Sequence, residues 1–228
     1  MYQLHADPHS SHRKLSALAE SYGRGPVLDV GAAEGYLGQM LADSDLVVDA
    51  IEPNPAFAEM ARPHYRKLYA LPLEEAALEE PYGTILLGDV LEHLVDPLAG
   101  LTHLIRHLKP NGILIASLPN VAHLAVRLLL LSGSFPSMDS GPLDRTHLHF
   151  FTRSTAERLL RDAGLALLER HATVVPLADI TGGRWSAVGR ALRPLQLVGL
   201  RLLPGLFAYQ WIFVASPLEA EGRSGQPT

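Results

Sequence analysis

The sequence predicts an α/β fold: a largely parallel sheet covered by helices on both faces. Three observations predict it. Short apolar runs end at Gly or Pro, segments of helical periodicity lie between them, and 47% of the 228 residues are hydrophobic against 19% charged. Uninterrupted apolar runs suit strands buried on both faces, whereas strands with one wet face alternate. Strand and helix in alternation is the pattern of βαβ units.

The elements follow in order. After a polar, His-rich start, a helix is expected over about 13–22. Pro26-Val27-Leu28-Asp29-Val30 reads as the first strand, closed by Gly31. Tyr36, Leu37, Met40 and Leu41 then fall at helical spacing within 34–42. A second strand is expected over 46–51, closed by Glu52-Pro53-Asn54-Pro55, then a helix over 56–62 and a third strand over 67–70. The fourth strand, 83–87, leads into Gly88-Asp89. A helix over 97–108 stops at the breaker Pro110-Asn111-Gly112, and the fifth strand, 113–118, stops at Pro119-Asn120. The alternation then breaks. A helix over 121–131, a Gly/Ser/Pro loop over 132–142 and a helix over 155–163 capped by Gly164 precede strands at 165–175 and 207–215.

A chain of this length fits one domain with short appendages. The expected division is an N-terminal helical or lid segment (1–25), a main domain (26–217) with an insertion at 176–206, and a disordered tail (218–228). The absence of cysteine excludes a disulfide framework, thiolate metal sites and a Cys nucleophile. Lys plus Arg number 19 against 24 Asp plus Glu, a net charge of −5, which argues against bulk electrostatic binding of nucleic acid. The N-terminus has no apolar signal core, and Leu202 to Leu218 is broken by Pro204, Gly205 and Pro217, so a cytoplasmic location is expected.

The strongest motif is Val27-Leu28-Asp29-Val30-Gly31-Ala32-Ala33-Glu34-Gly35, a buried strand running through glycine into a helix. Gly31 permits the tight turn, and Gly35 is expected to let the helix start approach a ligand. A dinucleotide fingerprint would place glycine where Ala33 stands, since a methyl group there crowds a pyrophosphate. Asp29 and Glu34 make the turn acidic, which suits a ligand with a cationic end. S-adenosylmethionine, with its sulfonium and ammonium groups, is such a ligand. Glu52, at the end of the second strand, is placed to accept hydrogen bonds from the ribose hydroxyls of an adenosine.

With these motifs in order, residues 25–175 resemble the class I S-adenosylmethionine-dependent methyltransferases. The likeness is strongest to the branch of ubiquinone-biosynthesis O-methyltransferases and related small-molecule methyltransferases. LDVGAAEGYLG matches the cofactor loop at Asp29, Gly31 and Gly35, and AIEPNP matches the ribose-binding acid at Glu52. GDVLEHLVDP matches the segment after strand four, with Asp89, Glu92, His93 and Pro97. LKPNGILIASLPN matches the fifth strand, and DRTHLHFFT matches an acceptor-side segment. Two departures are Ala33, where the family has its middle glycine, and Gly83, where it often has an aspartate. The resemblance implies a Rossmann-like, doubly wound, seven-stranded sheet with a final antiparallel hairpin. It also implies S-adenosylmethionine as cofactor, with Asp29, Gly31, Ala33, Gly35, Glu52 and Asp89 around it.

Methyl transfer to a hydroxyl needs a held acceptor and a base. His93 and His147 follow sheet strands and are the candidates; Asp144 and Arg145 are expected to contact the acceptor. Asp89, Glu92 and His93 form D-x-x-E-H, one face of a helix turn, and are the candidate ligands if a divalent cation binds, though none is expected. The ubiquinone-type relatives associate such a cluster with metal dependence. His103 and His107 lack a third ligand, and His9-Ser-Ser-His12 is a candidate lid. The segment 182–214 is basic and apolar, which fits a peripheral membrane contact, an acceptor lid or plain packing. The expected activity is transfer of a methyl group to a small molecule, at oxygen, by a monomer or homodimer. The alternatives are a nicotinamide-dependent oxidoreductase and an S-adenosylmethionine-binding module without turnover.

Overall fold

The computed structural model describes residues 11–176 and 186–218, with side chains from 191 onward in the second stretch. The strands are β1 (Val27–Val30), β2 (Val48–Ile51), β3 (Lys67–Tyr69), β4 (Tyr82–Gly88), β5 (Leu108–Pro119), β6 (Leu165–Ala172) and β7 (Gln210–Pro217). They form one sheet in the order β3-β2-β1-β4-β5-β7-β6. The first five are parallel, and β7 inserts antiparallel between β5 and β6.

The helices are α1 (Ser11–Tyr22), α2 (Tyr36–Leu41), α3 (Pro55–Ala61), α4 (Pro97–Ile105), α5 (Leu124–Leu131), α6 (Arg153–Asp162), α7 (Ser186–Leu202) and α8 (Pro204–Phe207). Successive side chains in a strand point to opposite faces. Here both faces are apolar, so alternate residues enter two cores. Leu28, Ile85, Leu87, Leu114, Ala116 and Phe213 pack with Leu101 and Leu104 of α4 and Leu160 of α6. Leu86, Ile113, Ile115, Ile212 and Val214 pack with Leu15 and Ala19 of α1 and Leu37 and Leu41 of α2. Each fully buried aliphatic side chain contributes roughly 1.5–3 kcal/mol of transfer free energy.

Three boundaries differ from expectation for local reasons. β5 begins at Leu108 because α4 already ends at Ile105; Pro110-Asn111-Gly112 is absorbed as an irregularity, with Tyr82 opposite Leu108 and Thr84 opposite Ile113. α5 starts at Leu124 because buried Asn120 belongs to a turn: its amide donates to the Ala208 carbonyl (2.7 Å) and its oxygen accepts from the Ala122 amide (3.2 Å). α6 starts at Arg153, where Thr152 and Thr155 form a reciprocal capping box.

α1 is the helical part of the N-terminal segment, and fully buried Leu15 and Ala19 place it in the layer covering the sheet. Residues 1–10, with His9 of the expected lid, lie outside the described residues, as do 177–185 of the insertion and 219–228 of the expected tail. Gly83 has a packing reason: a Cβ there would lie 2.5 Å from the Arg24 carbonyl oxygen. Among the described residues, no helix is long and apolar enough to cross a membrane.

Candidate active site

β1 lies between β2 and β4, and the chain leaves it toward β2 before returning to β4 on its other side. Such a switch point opens a crevice beyond the carboxyl ends of the strands, where ligands bind in open α/β sheets. A cleft of about 110 Å³ is found there, lined by Asp29, Gly31, Ala33, Gly88, Asp89 and His93, with His12 and Tyr36 at its side.

The turn after β1 has a demanding backbone. Gly31 has φ +74°, and a Cβ on it would meet Val90 Cγ2 at 2.7 Å. Ala33 has φ +47°, a left-handed conformation that costs a non-glycine residue roughly 1–2 kcal/mol. Its amide is held by Glu52 Oε2 at 2.7 Å. Gly35 (φ +87°) precedes α2, and a Cβ on it would lie 2.9 Å from His64 and 3.0 Å from Ala61 Cα. Gly35 thus permits close approach by Ala61 at the end of α3 and by His64.

Asp29 is buried. Its Oδ2 accepts from Tyr65 Oη at 2.6 Å, and its Oδ1 has no hydrogen-bond partner among the described residues. Burial raises its pKa to about 7 against the Tyr65 hydrogen bond, with Glu52 adding to the rise. Tyr65 in turn accepts from the Gly38 amide at 3.1 Å. An acceptor oxygen without a donor, on the wall of an acidic cleft, fits a ligand that brings a cationic donor. On that observation the residues present suit the ammonium group of S-adenosylmethionine.

Glu52 is also buried, and both its oxygens are engaged by the backbone: Oε2 by Ala33 and Oε1 by the Asn54 amide at 2.8 Å. Each oxygen keeps a second lone pair for a ribose hydroxyl. Glu52 thus fastens the glycine turn to the end of β2. Asp89 also takes a left-handed backbone (φ +56°). Its Oδ1 accepts from Ser117 Oγ at 2.8 Å and its Oδ2 from Gln210 Nε2 at 2.7 Å, so β5 and β7 both hold it.

The D-x-x-E-H motif splits in space. Glu92, His93 and His147 place one ligand atom each within 4.8 Å of one another. This corrects the expected Asp89, Glu92, His93 set: Asp89 is held by Ser117 and Gln210, and His147 takes its place. The 144–151 segment is docked by backbone bonds, with Leu148 and His149 amides donating to the Glu92 carbonyl at 2.8 and 3.1 Å. His93 Nδ1 lies 3.2 Å from the Thr146 carbonyl, and its ring meets His147 edge-on at 4.8 Å between centroids. Burial, then the charge of His93, pushes the His147 pKa below its ordinary value. Burial and then Asp89 push Glu92 well above the carboxylate range.

Asp144 accepts from the amide and hydroxyl of Thr146 at 2.8 and 2.6 Å, which shapes the turn presenting His147. Exposed Arg145 pairs with Asp139 across the same loop. The rings of His103, on α4, and His107, just past its end, lie tilted to one another at 5.3 Å between centroids, and among the described residues no third ligand joins them. Sequence reasoning missed Tyr65, Ser117 and Gln210, which hold Asp29 and Asp89. No local motif marks them, because each acts across the sheet.

A family model described as a methyltransferase domain matches residues 3–170. A ubiquinone biosynthesis O-methyltransferase from Xylella fastidiosa (strain M23) is 30% identical over 197 residues, covering 78% of this chain and 76% of that protein. One of the same name from Histophilus somni (strain 2336) is 31% identical over 121 residues, 48% of this chain. The chain spans only 51% of that relative and 62% of the one from Xanthomonas euvesicatoria. Among solved structures, magnesium protoporphyrin IX methyltransferase from Synechocystis PCC 6803 superposes with a TM-score of 0.60 at 18% identity, covering 90% of this chain and 81% of that one. The family match sets aside the nicotinamide-dependent alternative. With the glycine turn, the switch-point cleft and the antiparallel final hairpin in place, the chain belongs to the class I S-adenosylmethionine-dependent methyltransferases.

Proposed function

We propose that the protein transfers a methyl group from S-adenosylmethionine to a hydroxyl oxygen of a small-molecule acceptor, with His147 as proton acceptor. One observation carries the reading: His147, from a distant loop, meets edge-on at 4.8 Å the ring of His93, a residue of the cleft wall. The names of the ubiquinone-biosynthesis relatives support oxygen as the receiving atom.

Asp29, Gly31, Ala33, Gly35, Glu52 and Asp89 would hold the cofactor: Glu52 at the ribose, Asp29 at a cationic group, the two glycines and Ala33 by shaping the turn. S-adenosylmethionine, when bound, supplies an electrophilic methyl group. The chain's own residues orient the acceptor and take its proton. The lowered pKa keeps the His147 imidazole neutral near pH 7, so a ring nitrogen is free to receive that proton. Asp144 fixes the loop that carries the base, and Arg145 stands beside it where an anionic acceptor group would compete with Asp139.

The test joins calorimetric titration with S-adenosylhomocysteine to a screen of hydroxyl-bearing acceptors. Binding of the nucleoside and a product methylated on oxygen are expected. Methylation only on nitrogen or carbon would overturn the oxygen assignment, and binding without any turnover would favour the non-catalytic module.

A second reading rests on Glu92, whose two buried oxygens have no hydrogen-bond partner among the described residues. With His93 and His147 it forms a donor set suited to a divalent cation, which would lower the pKa of an acceptor hydroxyl as a Lewis acid.

A further inference from the structure

α7 carries its apolar stripe on the wrong side for a surface helix. Such a helix ordinarily turns its apolar face to the core. Here Leu192, Leu195, Val198 and Leu202 recur at helical spacing and face outward, with Leu195 66%, Val198 54% and Leu202 71% exposed. The helix is held from its other side by Leu200, which packs against the main core. Phe207 covers one point of the stripe's own face, at Gly199, where a Cβ would lie 2.8 Å from the ring. The outward stripe is therefore not a consequence of a detached helix.

The charge of the surrounding sequence indicates what covers the stripe. Between Asp179 and Glu219 the sequence has Arg184, Arg190, Arg193 and Arg201 and no carboxylate, within a chain of net charge −5. A second copy of the same face would oppose arginine to arginine, which like-charge contact disfavours. An anionic lipid surface complements both features: acyl chains receive the leucines, and headgroups receive guanidinium groups at the helix margin. Seventeen residues give a helix about 25 Å long that lies along a surface, and no described helix is apolar enough to cross one.

We infer that α7 docks the protein onto anionic lipid membranes through Leu192, Leu195, Val198 and Leu202, with Arg201 at the edge of the contact. The inference is independent of which atom the enzyme methylates.

Cosedimentation of the full chain with vesicles tests it. Vesicles of phosphatidylcholine with phosphatidylglycerol should retain the protein, those of phosphatidylcholine alone should not, and raised salt should release it. Leu195→Glu with Leu202→Glu should lower partition at least tenfold, with circular dichroism and S-adenosylhomocysteine titration unchanged. Arg201→Gln should weaken it about fivefold. Should the double variant fold poorly, Leu195→Trp reads the same contact, since its fluorescence should shift blue only with anionic vesicles. Equal retention by neutral vesicles, or no retention by either, overturns the inference. So does a concentration-dependent dimer that Leu195→Glu dissociates, which would give the face to a second copy.

Discussion

Nε2 of His147 lies 3.9 Å from Oε1 of Glu92, and among the described residues neither oxygen of that carboxyl group has a hydrogen-bond partner. An ionised carboxylate at this distance would raise a histidine pKa. The His147 pKa is instead lowered, because burial and then the charge of His93 outweigh Asp144 and Asp89, while the Glu92 pKa is itself raised. The base therefore faces a carboxyl group that burial favours in its neutral form.

A pH profile should show this. His147 accepts a proton only when neutral, so kcat should rise with pH through a limb below pH 6.5 and level above it. His147→Ala should lower kcat by about 100-fold or more while leaving cofactor affinity nearly unchanged. Glu92→Gln should leave the limb in place; a limb displaced by more than a unit would show that Glu92 is ionised in the folded protein.

Asp29 makes a stability prediction. Its pKa rises from 3.8 to about 7 on folding, so the folded chain binds more protons than the unfolded one between those values. Stability is then greatest at low pH with respect to this group and is lost as pH rises toward 7. Asp29→Asn should raise the Tm at pH 8 by several degrees relative to its effect at pH 5, measured without added cofactor. The same variant should weaken S-adenosylhomocysteine binding. A Tm difference independent of pH would dismiss the burial argument.

Glu52→Ala should have two effects that can be read separately. Loss of the carboxylate leaves the Ala33 and Asn54 amides without their acceptor, each costing about 1–3 kcal/mol, which denaturant unfolding measures. Loss of the ribose contact should weaken S-adenosylhomocysteine binding about tenfold or more at temperatures where the variant is folded. Undiminished affinity would remove Glu52 from the nucleoside site.

Chelation separates the two readings of the histidine pair. If Glu92, His93 and His147 hold a divalent cation, activity should vanish in chelator and return with added magnesium, manganese or zinc. If His147 acts as a base alone, activity should persist, and only the pH limb should identify it.

The sequence by itself determined the alternation of strand and helix, the glycine turn at 29–35 and the acid at Glu52, because period and turn chemistry are local properties. It also placed His93 and His147 among the reactive candidates. Only the tertiary structure decided their company. Gln210 reaches Asp89 because β7 runs antiparallel beside β5, with Gln210 opposite Pro119, and Tyr65 reaches Asp29 across β2. His147 displaces Asp89 from the cluster because its loop docks on the backbone of Glu92. Such pairings depend on register and loop docking between segments far apart in the chain, which no spacing within one segment records. The outward face of α7 belongs to the same class: its leucines are plain in the sequence, but which side meets the core is settled by where Leu200 finds its partners.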